Sequence, residues 1–207
     1  MNNRPSRRLF RTALAVFLAI VATCIGTASP RAYAQSVAEK QTISRVQGAL
    51  ERLPNYGVFD FLAFSLDRGT VTLMGYAYRG NLKSDAGRAV KSVSGVDDVV
   101  NQIEILPPSL NDDRIRSATF YNIYTDDFLS RYAPGGAVAA RDAALEFARS
   151  PGMQPLGTYP IHTIVKNGRT MLLGIVDNEA DKTVAGVRAR EVGGVLDVQN
   201  GLVASRK

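Results

Sequence analysis

The sequence predicts an α+β protein with two tandem copies of one small αββαβ module, each a three-stranded mixed sheet packed on two helices. The main observation is an internal repeat, in which residues 69–103 align without a gap with residues 168–202. In each copy, a glycine-containing turn joins two alternating apolar segments. In each copy, a helical apolar stripe then leads into one more apolar segment.

The repeat is strong because twelve of the 35 aligned pairs are identical. Recurring glycines mark its turns: one pair supplies a positive φ in the hairpin, a second lets a helix pack closely on strand two, and a third stops the helix. These repeat glycines, to which we assign structural roles, are Gly69, Gly75, Gly95, Gly168, Gly174 and Gly194.

The apolar periodicity predicts the same elements in both copies. In the first copy these are strands at 60–66, 70–77 and 99–105 and a helix at about 82–93. In the second they are strands at 159–165, 169–176 and 198–203 and a helix at about 179–192.

Each copy also needs a helix before its hairpin. In the first copy it is predicted at about 41–53, after a short mobile tail at 35–40. For the second copy, a helix at 113–124, capped by Asp112, and a helix at 138–149 both fit this place.

The first 34 residues are typical of a cleaved signal peptide. A basic start precedes an uncharged stretch from Thr12 to Ala28, and Ala32-Tyr33-Ala34 places cleavage before Gln35. The alternatives are an uncleaved membrane anchor and lipidation at Cys24. We expect an exported protein.

Charge and cysteine content exclude several functions for the exported part. The chain has 25 basic and 19 acidic residues. Since five of the basic residues lie in the first 34, 20 remain against the 19 acidic ones. This balance gives no long-range field for nucleic acid binding. The single cysteine, Cys24, lies in the signal segment, which leaves no disulfide or thiol chemistry.

The sequence predicts no enzyme, no cofactor and no metal site, because it contains none of the familiar catalytic or phosphate-binding motifs. Its one histidine, His162, lies on the strand face opposite Ile161, Thr163 and Val165, and its counterpart in the first copy is Ala63. We interpret it as a histidine without a catalytic role.

In the helix at 113–124, apolar and aromatic side chains spread around the axis, so more than one face needs a cover. One interpretation is that they pack between the two copies. The other is contact with a lipid surface or a protein partner, since aromatic rings suit a membrane interface and arginines suit phosphates. The candidate contact residues are Arg116, Phe120, Tyr121, Tyr124, Phe128 and Tyr132.

The segments GVFDFLAFSLDRGTVTLMGYA and AVKSVSGVDDVVNQIEILPPS resemble a BON domain, and IHTIVKNGRTMLLGIVDNEADKTVAG and VGGVLDVQNGLV resemble a second one. The second copy departs from the family pattern at Thr170 and Met171, and the run at about 135–155 is extra. In similar proteins, the segment corresponding to 112–124 opens the second module. The resemblance therefore favours modules at 40–107 and 112–204, with an inserted helix at about 138–149.

The resemblance implies a non-enzymatic protein exported to the periplasm, with the outer membrane as a further site of association. It also implies that the protein binds anionic phospholipid or membrane surfaces and supports the cell envelope under osmotic stress. In lipid-binding members, the opening helix of the second module makes the contact. The alternative is a protein–protein or oligomerising module of an envelope assembly, since the edge strands of small sheets can pair with other chains.

Overall fold

The computed structural model describes residues 30–150 and 152–205, with side chains from residue 37 onward. The predicted signal peptide therefore lies outside the described residues up to residue 29. From Thr42 onward, the chain forms one compact unit that holds both copies, whereas the residues up to Gln41 belong to a separate unit. Within the described ranges, no helix combines the length and apolar character needed to cross a bilayer.

The first copy is built around the central strand β2. β1 pairs with β2 antiparallel, and β3 and β4 pair with it in parallel and in one continuous register, so that they form a single interrupted strand. Its elements are α1 (Pro30–Glu51), β1 (Phe61–Asp67), β2 (Thr70–Ala77), α2 (Gly80–Lys91), β3 (Asp98–Asn101) and β4 (Glu104–Ile105).

The second copy repeats this topology in the order β5–β6–β7. Equivalent residues have equivalent partners: Thr70 pairs with Asp98 in the first sheet, and Arg169 pairs with Asp197 in the second. The predicted duplication of an α+β module is thus confirmed. The elements are α3 (Leu110–Tyr124), a short 3-10 helix (Ser130–Tyr132), α4 (Gly136–Arg149), β5 (Ile161–Lys166), β6 (Arg169–Val176), α5 (Glu179–Arg190) and β7 (Asp197–Ala204).

Both hairpins turn through two residues in the left-handed region. Arg68 and Gly69 have φ values of 45° and 82°, and Asn167 and Gly168 have values of 53° and 75°. Two successive left-handed residues make the tight turn whose twist matches that of the flanking strands.

One asparagine in each copy joins the helix to the last strand. The Nδ2 atom of Asn101 donates to the Lys83 carbonyl at 2.8 Å, and that of Asn200 donates to the Lys182 carbonyl at 2.6 Å. Each recurring asparagine therefore has a structural explanation.

The glycines of strand two are required for a different reason from the one predicted. A Cβ atom on Gly75, where φ is 115°, would lie 2.0 Å from the Phe61 carbonyl oxygen. On Gly174, where φ is 130°, it would lie 2.0 Å from the Pro160 carbonyl oxygen. The close neighbour is thus the backbone leading into the adjacent strand and not a helix.

Helix α1 begins earlier than predicted. It starts at Pro30, so residues 35–40 are helical and do not form the expected tail. Proline is tolerated in the first helical turn, and the alanine, glutamate, lysine and glutamine at 35–40 favour helix.

The cap of α3 also differs from the prediction. Ser109 is the N-cap residue, and its side chain accepts from the Asp112 backbone N–H at 3.2 Å. The Asp112 carboxylate, which is buried, accepts instead from the backbone N–H groups of Asn167 and Gly168, both at 2.8 Å. It therefore holds the β5–β6 turn against the start of α3.

The two copies share part of their core. Val58 and Phe59, which precede β1, are fully buried in the hydrophobic cluster of the second copy. The Thr163 backbone N–H donates to the Val58 carbonyl at 2.9 Å, and the Val58 N–H donates to the Pro155 carbonyl at 3.1 Å. The first copy thus covers part of the β5 edge.

Helices α3 and α4 have distinct places. α3 packs on β5 and α5, whereas α4 packs on α3. Both helices therefore belong to the second half of the molecule, and which of them opens the second copy stays a prediction.

Candidate functional site

The six predicted contact residues do not form one surface. Arg116, Phe120 and Tyr124 have no exposed area, whereas Tyr121 is 41% and Phe128 66% exposed. The use of the three buried residues as contact groups is therefore corrected: within this fold they pack inside the protein and cannot reach a bilayer or a partner.

Arg116 is buried between the two copies. Its guanidinium donates to Asp113 Oδ1 at 2.5 Å and to the Val165 carbonyl, and it lies 5.0 Å from the centre of the Tyr78 ring. Tyr78 follows β2 of the first copy, so this arginine joins α3 to both sheets.

Phe120 and Tyr124 belong to an aromatic cluster. The Phe120 ring lies 6.3 Å from Phe59 and 5.5 Å from Tyr159. The Tyr124 hydroxyl donates to the Ile161 carbonyl at 2.7 Å and accepts from the Ile161 N–H at 3.0 Å. Phe147 of α4 lies 4.8 Å from Phe59 and closes the cluster.

Tyr132 contacts the start of α5. Its hydroxyl donates to Asp181 Oδ2 at 2.7 Å and accepts from the Asp177 N–H at 2.7 Å, and the Arg131 guanidinium lies 4.7 Å from the ring centre. All its polar groups are used within the fold, which makes its role structural.

Tyr121 instead lines an open groove between α3 and α4, with a volume of about 710 Å³. We call it the α3–α4 groove. Leu110, 78% exposed, and Leu145, 45% exposed, lie on its walls, and Arg114 is exposed at its rim. Its lining residues are Leu110, Asp113, Arg114, Ser117, Ala118, Tyr121, Asn122, Ala144, Leu145, Phe147, Ala148, Val192 and Gly193.

Sequence reasoning missed Leu110 and Leu145, although a signal for Leu145 is present. The sequence predicts an apolar stripe of Ala140, Ala144, Phe147 and Ala148 on α4, of which the first three are buried and Ala148 is exposed. Leu145 lies off that stripe, so packing of the stripe does not explain a leucine at this exposed position. That mismatch is the signal.

Two buried titratable groups lie where the copies meet. Burial raises the pKa of Asp60 to about 6, against the opposing effect of hydrogen bonds from the Tyr78 N–H, the Gln154 side chain and the Gly57 N–H. Burial also lowers the pKa of His162 to about 4.

His162 faces the first copy. Its Nε2 lies 3.4 Å from the Tyr56 hydroxyl, and its ring centre lies 5.7 Å from that of Phe61. Its Nδ1 has no hydrogen-bond partner among the described residues. These neighbours hold the ring in a packed junction.

Within the described ranges, no group of three or more histidine, cysteine, aspartate or glutamate side chains is placed to hold a metal ion.

Comparison with protein families matches the BON domain model to residues 36–107 and 139–205. The second match begins inside α4 and leaves out α3, so the module boundary at residue 112 stays a prediction. No curated protein matches the chain.

Among solved structures, the chain is similar to two of CdsD, a structural protein of the type III secretion system of Chlamydia trachomatis. Both are 14% identical to it, with TM-scores of 0.26 and 0.25. The first likeness covers 80% of this chain and 94% of the other, and the second covers 79% and 97%. Similarities this low say nothing about function.

Proposed function

Because the chain belongs to the BON domain family, whose members are non-catalytic binding modules linked to membrane and phospholipid binding, we propose that it is a non-enzymatic protein that binds anionic phospholipid at the cell envelope. The α3–α4 groove is its contact site. In this role the protein supports envelope integrity under osmotic stress.

The observation that carries the proposal is the exposed apolar lining of the groove. Leu110, Tyr121 and Leu145 leave apolar surface in water on a helix pair that otherwise buries its aromatic residues. Contiguous exposed apolar surface rimmed by polar groups is typical of an interaction site. A tyrosine suits a lipid interface, because its ring is apolar and its hydroxyl remains hydrated.

Charge at the rim supports an anionic ligand. Arg114 is exposed and forms no ion pair within the described ranges. The neighbouring Asp113 is already paired with the buried Arg116, at 2.5 Å. One arginine near an anionic membrane surface contributes about 1 kcal/mol.

Co-sedimentation with phosphatidylcholine vesicles, with and without phosphatidylglycerol, tests the proposal. We expect binding to the anionic vesicles that weakens at high salt, because salt screens the charges. Leu145→Gln should weaken it several-fold. Val138→Gln is the matched control, since Val138 is 63% exposed on the same helix but outside the groove. Equal losses in the two variants would contradict the assignment of the groove.

Arg114→Gln tests the charge at the rim separately. It should weaken binding to the anionic vesicles roughly fivefold and leave binding to neutral vesicles unchanged. Arg141→Gln, on the exposed side of α4, is the control. A loss on both kinds of vesicle would argue against a phosphate contact.

The exported location is a part of the proposal that N-terminal sequencing tests. The protein recovered from the periplasm should start at Gln35, whereas a lipidated start at Cys24 or retention of the first residues would contradict cleavage there. A strain without the gene should lose viability under osmotic stress, and an unchanged strain would count against the envelope role.

A second function, as an oligomerising or protein-binding module, is favoured by strand β7. It lies at the edge of its sheet and carries no charged residue from Val198 to Ala204. Exposed strands of this kind pair readily unless a charge blocks them. Oligomers by light scattering without vesicle binding, abolished by Val203→Lys, would favour this function over lipid binding.

A further inference from the structure

The loop before the last strand carries an exposed leucine in the second copy and a charged residue at the equivalent position of the first. Leu196 in the second copy stands where the first copy has Asp97. The backbone is the same at both places: the N–H of Asp97 donates to the Gly69 carbonyl at 2.8 Å, and that of Leu196 donates to the Gly168 carbonyl at 2.8 Å. Leucine and aspartate thus make the same backbone hydrogen bond at this position.

Leu196 covers little of the protein. Its side chain lies over the hairpin glycine, so that a Cβ built on Gly168 would be 3.1 Å from its Cδ1 atom. The residue is still 76% exposed. A core requirement therefore does not explain the leucine.

A second exposed leucine lies at the same end of the molecule. Leu110 is 78% exposed at the start of α3. The next residue, Asn111, approaches the loop before Leu196, since a Cβ built on Gly194 would be 4.0 Å from Asn111 Oδ1. The Asp112 carboxylate binds the hairpin turn itself. We call this end, formed by Leu110–Asp112, Asn167–Gly168 and Gly193–Leu196, the second-copy tip.

The charges at the two ends also differ. In the first copy, the turn and the loop carry Asp67, Arg68, Asp97 and Asp98, which are three carboxylates and one guanidinium. In the second copy, the same turn and loop carry Lys166, Arg169 and Asp197, which are two basic groups and one carboxylate, with Arg169 standing where the first copy has Thr70.

The basic groups near the second-copy tip remain available. Arg169 and Arg114 are exposed and form no ion pair within the described ranges, whereas Lys166 is paired with Glu104. The Asp112 carboxylate is buried and occupied by the turn. Asp197 is exposed as well, so the groups without an ion pair within the described ranges are two arginines and one carboxylate.

At the first-copy end, Asp67 pairs with Arg68 and Asp98 with Lys91, which leaves Asp97. The remaining charge is therefore positive near the second-copy tip and negative at the first-copy end, and only the former suits an anionic surface.

We propose that the second-copy tip inserts Leu196 and Leu110 into an anionic lipid bilayer while Arg114 and Arg169 contact lipid phosphates. The inference rests on the proposed lipid-binding function and adds a place and an orientation: the second-copy tip enters the bilayer and the first-copy end stays in water. Apolar side chains with flanking arginines match the interface of a membrane in both hydrophobicity and charge.

A fluorescent reporter tests the orientation in the whole chain. The sequence has no tryptophan, so Leu196→Trp introduces the only indole. Its emission should shift to shorter wavelength on addition of vesicles of phosphatidylcholine and phosphatidylglycerol. Asp97→Trp puts the same reporter at the equivalent place of the first copy and should show no shift. Equal shifts, or none in either variant, would overturn the orientation.

Leu196→Asp tests the energetic contribution. The first copy accepts aspartate in the same backbone setting, so the unfolding midpoint should not change. Binding to the anionic vesicles should fall about tenfold or more, because a leucine no longer leaves water on binding.

The outcomes separate the two proposals. Suppose that the wild type sediments with anionic vesicles, that Leu196→Asp binds them equally well, and that the emission of Leu196→Trp does not shift. The tip proposal is then wrong, and the groove assignment stands. If the wild type does not bind vesicles at all, the proposed function is wrong and the tip proposal falls with it.

Discussion

Single residues at the junction of the copies couple stability to pH in opposite directions. Asp60 has a pKa of about 6 when folded, against 3.8 normally, so the folded state retains a proton that the unfolded chain releases. The contribution of Asp60 to the stability of the folded state therefore falls as the pH rises from 3.8 to about 6. His162 has a pKa of about 4, against 6.5 normally, so the unfolded chain binds the proton first. Its contribution falls as the pH drops from 6.5 toward 4.

Replacing His162 should remove one of these two opposing effects of pH on stability. When the pH is lowered from about 7 to about 5, the free energy of unfolding of His162→Leu should rise by up to about 2 kcal/mol relative to that of the wild type. The reason is that the variant no longer has to keep an imidazole neutral in the folded state. Urea unfolding at the two pH values measures the difference. Parallel pH dependence in the two proteins would refute the assignment.

Glycine at strand two is a second feature of single residues, and the chain contains a matched control. Gly174 and Gly157 have φ values of 130° and 120°, but only Gly174 has a carbonyl oxygen 2.0 Å from its Cβ position, whereas Gly157 has open space. We expect Gly157→Ala to cost about 1–3 kcal/mol from backbone strain alone. Gly174→Ala should cost clearly more or prevent folding. Similar unfolding midpoints would show that the close approach does not matter.

At the scale of elements, the start of α3 and the β5–β6 turn depend on one another through Asp112. Its carboxylate is the acceptor for two backbone N–H groups of the turn, and the N-cap is left to Ser109. A local sequence pattern assigned the cap to Asp112, because aspartate is common there. The pattern carries no information about a turn that lies more than fifty residues away along the chain.

The roles of Ser109 as N-cap and of Asp112 as acceptor for the turn predict different losses in the free energy of unfolding. Ser109→Ala should cost about 1 kcal/mol, the usual value for a lost N-cap. Asp112→Ala should cost more, about 2–5 kcal/mol, because it leaves two N–H groups at the turn without an acceptor. Hydrogen exchange at Asn167 and Gly168 should accelerate only in the Asp112 variant. Faster exchange there in the Ser109 variant would contradict this division.

At the scale of the whole molecule, the two copies are joined by shared packing and hydrogen bonds. Phe59 comes from the first copy but is fully buried in the core of the second, in contact with Phe120 and Phe147. Gln154 reaches back the other way, and its side chain accepts from the Phe59 N–H at 3.0 Å. We therefore expect both copies to unfold together.

Phe59→Ala tests this coupling. The loss of a buried phenylalanine should cost about 3–5 kcal/mol. Amide exchange should accelerate in both β2 and β6, in one unfolding transition. Phe128→Ala is the control, because Phe128 is 66% exposed and its loss should change stability by less than about 0.5 kcal/mol. Exchange that accelerates only in β6 would show that the copies unfold separately.

Much of the fold was predictable, and the candidate site was predictable only in part. The hairpins at Gly69 and Gly168 and the helix that follows each of them were predicted from local rules and are confirmed. The apolar and aromatic excess of α3 correctly indicated that more than one face is covered. The sequence could not say which face meets α4, and so it grouped the buried Phe120 and Tyr124 with the exposed Tyr121.

What the sequence determined by itself is the repeated module, since turn geometry, apolar period and recurring glycines act over a few residues and appear identically in both copies. Only the tertiary structure decided which side chains are available to a ligand. Phe59 packs on Phe120 and Tyr78 lies against the Arg116 guanidinium, while Phe147 of α4 packs on both Phe59 and Tyr78. Burial by such neighbours depends on how the copies pack, and no local periodicity records that packing.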